Sequence, residues 1–171
     1  ISGNAMLRLS KKADYALIAM NHLARTQGSP CASTSARGIA ERYDIPIELM
    51  AKVLQRLVRT GLLASTQGTR GGYMLSRPPA SISVADVIQA IDGPFTVTAC
   101  STDKHDCDQY SKCNVRGPLW QIRERIVATL GMVSIAEMAA ESEHATAVAV
   151  ELAVVRRSGM PASGGHGPRQ G

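Results

Sequence analysis

Apolar positions recur along this chain at two spacings, and the change from one to the other marks out its elements. From Ser10 to Arg25, Ala13, Leu17, Met20 and Leu23 fall three or four residues apart with Ala16 and Ala24 beside them, which predicts an amphipathic helix. Ser10 can cap its start, and Gly28 followed by Pro30 ends the region. Ser35 to Tyr43 predicts a short second helix with Ala36, Ile39 and Ala40 inward. Asp44-Ile45-Pro46 is a tight break, and Pro46 suits the first turn of a third helix carrying Leu49, Met50, Val53, Leu54, Leu57 and Val58 up to Gly61. There the helical spacing stops. Leu62–Thr66 reads as a strand, Gln67–Gly72 as a turn and Tyr73–Ser76 as the returning strand, with glycines supplying the backbone angles of a tight hairpin.

Helical spacing resumes at Ser83–Asp92, where Ser83 and Asp86 form a capping-box variant, Val84, Val87, Ile88 and Ile91 face inward, and Gly93-Pro94 closes the element. A polar stretch without an apolar run comes next, Cys100 to Cys113. From Asn114 the pattern returns with Leu119, Ile122, Ile126, Val127 and Leu130, Trp120 alongside and Pro118 near the start; Gly131–Ser134 reads as a break. Ser134-Ile-Ala-Glu137 opens a short last helix to Glu141. His144–Arg157 is Ala/Val-rich and can form a helix, and the Gly-, Pro- and Ser-rich run Ser158–Gly171 is expected to be disordered. The predicted fold is mainly α with a small β-hairpin wing. A winged helix-turn-helix covers 6–82, a cysteine loop with dimerisation helices 83–142, and a largely disordered C-terminal extension 143–171.

Charge adds a partner to this outline. The chain of 171 residues carries a net charge of +5, yet the part through Arg77 holds eleven Lys and Arg against four Asp and Glu. A basic front of this kind meets a polyanion, and a basic amphipathic second helix of a helix-turn-helix meets double-stranded DNA. That helix would present Glu48, Lys52, Gln55, Arg56 and Arg59 outward. Gln and Arg can pair bidentately with adenine and guanine edges; Lys52 and Arg59 can equally hold phosphates. Arg70, among the glycines of the hairpin tip, is placed to enter a narrow minor groove.

No apolar run approaches the roughly 20 residues of a membrane span, and no signal peptide is visible, so the expected location is the cytoplasm. Ile1–Ala5 read as a cloning remnant ahead of a natural start at Met6. There is no P-loop, dinucleotide fingerprint or nucleophile–base motif, which argues against an enzyme. The long apolar side of the helix after Asn114 exceeds what its own domain can cover, and a second copy of the chain is the expected cover, giving a homodimer.

Three of the four cysteines fall within the polar loop. Six residues separate Cys100 from Cys107, and five separate Cys107 from Cys113. In a reducing cytosol such a cluster points to metal or redox chemistry rather than to disulfides. With His105 or Asp14 the three could also hold zinc tetrahedrally, or act as a thiol switch. Cys31 lies apart and is expected to be a plain thiol.

Four stretches carry a resemblance. Leu9-Ser-Lys-Lys-Ala-Asp14-Tyr-Ala-Leu17, the wing Gly68-Thr-Arg70-Gly-Gly-Tyr-Met-Leu75, Val84-Ala-Asp-Val-Ile-Gln-Ala-Ile-Asp92-Gly93 and the cysteine loop resemble the Rrf2 family of bacterial winged-helix transcription regulators, which includes the IscR and NsrR types. The likeness spans Met6 to Ala140. Its closing run, from Cys113 through Leu119-Trp120 to Val133-Ser-Ile-Ala-Glu-Met138, looks most like the subgroup associated with the SUF iron–sulfur assembly system.

The resemblance implies a homodimer whose loop holds an iron–sulfur cluster, of two-iron or four-iron type, with Cys100, Cys107 and Cys113 matching the family's three ligands. The first gap is one residue longer than in the IscR pattern, and Arg116 stands where that type has a ligand histidine. In the NsrR type an aspartate of the partner's first helix completes the site; its match here is Asp14, with His105 as the alternative. The implied function is operator binding controlled by the cluster, at genes of iron–sulfur assembly or of redox and nitric-oxide response.

Overall fold

A computed structural model of the chain describes residues 9–27, 33–68, 71–96, 108–109 and 111–142. Helix α1, Lys11–Thr26, opens on Ser10, whose hydroxyl accepts the Ala13 amide at 3.1 Å. Its buried stripe includes Ala13, Ala16, Met20 and Leu23, the spacing of one helix face. Helix α2, Ala36–Arg42, starts in the same way, with Ser35 accepting the Gly38 amide at 3.0 Å. The turn after it holds Asp44 at φ 52, a left-handed conformation that Asp tolerates better than most residues. Helix α3, Ile47–Arg59, comes next. Pro46 stands one position before it rather than inside its first turn, and its carbonyl accepts the Leu49 and Met50 amides at 3.0 Å.

Met50, Leu54 and Leu57 of α3 are fully buried in one core with Met20 and Leu23 of α1, Ile39 of α2 and Val87 of helix α4 (Val84–Asp92). Truncating one such side chain to alanine costs about 2–5 kcal/mol. That cost fixes the rotation of α3 about its own axis, and with it the face turned to solvent.

Strands β1 (Leu63–Thr66) and β2 (Gly72–Leu75) pair antiparallel, Leu63 opposite Leu75 and Thr66 opposite Gly72. Both strands begin or end one residue away from the sequence expectation. The hairpin gains a third edge that no pattern announced: Thr34 and Tyr73 exchange backbone hydrogen bonds at 3.0 and 3.1 Å. This approach requires glycine at 72, where a Cβ would lie 2.8 Å from the Thr34 carbonyl oxygen. A single 3-10 turn, Pro79–Ser81, then leads to α4, which carries the full capping box between Ser83 and Asp86.

Helix α5, Arg116–Met132, ends inside the break read at Gly131–Ser134, with Gly131 itself still helical. One glycine in a last turn costs only about 1 kcal/mol relative to alanine, too little to end a helix of this length. A last helical run, α6, covers 135–142. At its start the Ser134 amide and hydroxyl both donate to Glu137, and these bonds hold the Glu137 carboxyl below its ordinary range. The segment from α4 to α5 is closed at its base: Val84 N–H donates to the Val133 carbonyl at 2.9 Å and Ile135 N–H to the Ile82 carbonyl at 2.8 Å. Ile1–Ala139 form one compact unit and Ala140–Gly171 a second, of which 140–142 are described. Among the described residues no helix is long and apolar enough to cross a membrane.

Candidate nucleic-acid interface and cysteine loop

Because the inner stripe of α3 is fixed, its opposite side presents Glu48, Lys52, Gln55 and Arg59 to solvent. Lys52, Gln55 and Arg59 make no side-chain hydrogen bond or ion pair among the described residues. Arg56 is also exposed but lies on the flank of that face. Its Nε donates to the Ala90 carbonyl at the end of α4 at 2.9 Å, so one of the expected DNA contacts is also a structural tie. On the other flank, Gln55 and Arg59 border a recess shared with Ser65 and Tyr73 of the hairpin. Gly68 begins the hairpin turn at φ +111 and its carbonyl accepts the Gly71 amide at 2.8 Å. Arg70, expected at the tip, lies outside the described residues.

The end of α4 is held from three sides. Arg56 reaches it from α3. Ser10 reaches it from α1, its hydroxyl donating to Asp92 Oδ1 at 2.6 Å and its amide to Oδ2 at 3.4 Å. Two residues beyond Gly93, the Phe95 carbonyl accepts Arg123 Nε of α5 at 2.6 Å. Arg123 also pairs with Glu124 and lies over the Trp120 ring at 5.8 Å. The stretch that leads into the cysteine loop is thus tied to α3, the expected recognition helix, to the helix that carries Asp14, and to α5. Ser10, Asp92 and Arg123 had no place in the expected site. Ser10 was visible only as a cap, and nothing local in the sequence signals the other two.

Of the expected ligands, Cys100, Cys107 and the alternative His105 lie outside the described residues, as does Cys31. Cys113 is a free, half-buried thiol shortly before α5. Asp14 lies in the first turn of α1, partly exposed and 4.0 Å from Lys11 Nζ. A soft thiol donor at one end of a polar loop whose other end is tethered fits an iron–sulfur group by donor chemistry. Among the described residues there is no group of three His, Cys, Asp or Glu able to hold a metal ion.

Comparisons with known proteins agree with this architecture. A family model, Rrf2, described as an iron-dependent transcriptional regulator, matches residues 9–141. The HTH-type transcriptional regulator IscR of Xenorhabdus nematophila is 34% identical over 139 residues, covering 80% of this chain and 82% of that protein. Its counterpart in Klebsiella pneumoniae is 31% identical over 138 residues, with 80% and 82% covered. Among solved structures, T. potens IscR is similar with a TM-score of 0.63 at 28% identity, covering 81% of this chain and 90% of that one. CymR (YrzC), the global cysteine regulator of B. subtilis, also gives a TM-score of 0.63, at 25% identity, with 79% and 98% covered.

Proposed function

Because the chain belongs to the Rrf2 family of iron-dependent transcriptional regulators, we propose that it binds operator DNA as a homodimer under the control of an iron–sulfur cluster. The ligands are Cys100, Cys107 and Cys113, with Asp14 supplied by the second copy of the chain. Lys52, Gln55, Arg56 and Arg59 contact the major groove side, and Arg70 the minor groove. The targets are genes of iron–sulfur assembly or of redox and nitric-oxide response, and the work is done in the cytoplasm.

The observation that carries this reading is the tethering of the loop's first stem. Through Arg56 and Ala90 it touches α3, and through Asp92 and Ser10 it touches the N-terminal turn of α1, next to Asp14. When bound, the cluster supplies a group that reacts with oxygen or nitric oxide and whose coordination draws three thiolates to one point. The protein supplies the rest. Ser10 and Arg56 hold the stem, so a change in loop geometry bears on the position of α3. Two α3 helices of a dimer must match two half-sites one helical turn of DNA apart or a multiple of it, so a small shift changes affinity. The dimer reading is supported by α5, none of whose residues is buried within the chain, and which leaves Trp120 46% and Met132 80% exposed.

The test is the visible absorption spectrum of protein purified without oxygen, with iron and acid-labile sulfide assayed on the same sample, then duplex binding with and without the cluster. The reading expects a brown protein, loss of colour in Cys113→Ser, a changed spectrum in Asp14→Ala, and an affinity that depends on the cluster. Protein that stays colourless after anaerobic reconstitution refutes it and leaves a thiol- or zinc-responsive DNA-binding regulator.

A further inference from the structure

Beside α3, on the flank away from the hairpin, lies a cleft of about 290 Å³. Lys12 of α1 and Lys52, Arg56 and Arg59 of α3 line it, over a floor that includes Val53 and Ile91. No carboxylate is among the residues that line it. Lys12, Lys52 and Arg59 make no ion pair or side-chain hydrogen bond among the described residues. Arg56 uses Nε on the Ala90 carbonyl, and its two terminal amino groups have no hydrogen bond there. Four cations converging without a counter-ion form a site for an anion, and the free edge of a guanidinium suits the paired oxygens of a phosphodiester.

The position of the cleft says where that anion comes from. A helix with its side chains is about 10–12 Å across and the major groove of B-DNA about 12 Å wide, so a helix lying in the groove has a phosphate wall along each flank. One flank of α3 faces the hairpin. The other faces this cleft.

We propose that the cleft between α1 and α3 seats a backbone phosphate of the bound DNA, held by Lys12 together with Lys52, Arg56 and Arg59. This rests on DNA binding by the chain and adds Lys12, on a different helix from the recognition surface, as a sequence-independent contact. It also gives Arg56 two simultaneous partners, the phosphate and the end of α4.

The experiment measures the affinity of wild type, Lys12→Ala and Lys11→Ala for two fluorescent duplexes across a salt series. One duplex has random sequence and the other is enriched from a random pool on the wild-type protein. Lys11 is the comparator because it is exposed one residue away and does not line the cleft. Removing one phosphate contact lowers the slope of log affinity against log salt by about 0.9. The proposal expects that reduction in Lys12→Ala, with the same loss of affinity on both duplexes and little change in Lys11→Ala. Three outcomes overturn it: an unchanged slope in Lys12→Ala, a loss confined to the enriched duplex, or equal losses in the two lysine variants. A wild-type protein that binds neither duplex removes the DNA-binding reading itself, which is a separate result.

Discussion

The Ser10 hydroxyl does two things at once, and it gives a sharp test of the architecture. Its hydroxyl accepts from Ala13 as the cap of α1 and donates to Asp92 across 82 positions of sequence. Ser10→Ala removes both bonds. Loss of a serine cap costs about 1 kcal/mol. The Asp92 bond is exposed, so water replaces most of it and its share is about 0.5 kcal/mol or less. The sum, roughly 1–1.5 kcal/mol, corresponds to a fall in melting temperature of roughly 3–6 °C for a unit of this size.

Ser10→Gly separates the two contributions, because glycine loses only a few tenths of a kcal/mol as a cap while losing the hydroxyl's bond to Asp92. Asp92→Ala removes only the second contribution. The assay is thermal and urea unfolding of the four proteins that make the Ser10→Ala and Asp92→Ala cycle. The expected coupling is about 0.5 kcal/mol, since the double variant cannot lose the shared bond twice. A Ser10→Ala protein as stable as wild type, or two losses that add in full, would refute the reasoning that the cap of α1 and the end of α4 are one joint.

Two further outcomes are expected at other sites. His22 is only 9% exposed, its Nδ1 lies 3.2 Å from the Tyr43 hydroxyl, and burial, then the charges of Arg42 and Arg25, hold its pKa below the ordinary 6.5. The unfolded chain therefore takes up a proton that the fold refuses. Stability from the neutral ring is whole above pH 6.5 and declines as the pH falls below it; urea midpoints should drop on acidification through that range, and His22→Gln should flatten the drop, with parallel curves counting against it. Ile122, 46% exposed on α5, is expected in the homodimer contact; Ile122→Glu should give monomers by sedimentation with helix content intact, and a persisting dimer would place the contact elsewhere.

The helices were legible because each has an apolar stripe at helical spacing, and four of them a serine in front of it. Ser10, Ser83 and Ser134 cap as the sequence suggests, and Ser35 does the same for α2. The winged-helix outline came with them, since a hairpin after a basic amphipathic helix leaves few arrangements. The site was legible residue by residue but not as an assembly. Arg56 reads as one of the outward polar residues on α3, and the helical pattern cannot say that a carbonyl 34 positions later will come within reach of it. The Thr34–Tyr73 pairing was invisible for a related reason, being a single-residue bridge with no alternation to mark it. The break read at Gly131–Ser134 falls where α5 ends, one residue past the glycine. The polar loop has no periodicity to read, so its chemistry showed through the cysteines alone.

The two backbone hydrogen bonds at the base, Val84 to Val133 and Ile135 to Ile82, have a consequence for how such a chain can change over time. They join the two ends of the segment from α4 to α5, while α4 itself stays packed in the core with α1 and α3. Residues can be added to or removed from the connection between α4 and α5 at small entropic cost, since closing a longer loop costs only about 0.6 kcal/mol per doubling of length. The spacing of the cysteines is therefore free to change while these two backbone bonds and the buried face of α4 keep the winged helix intact.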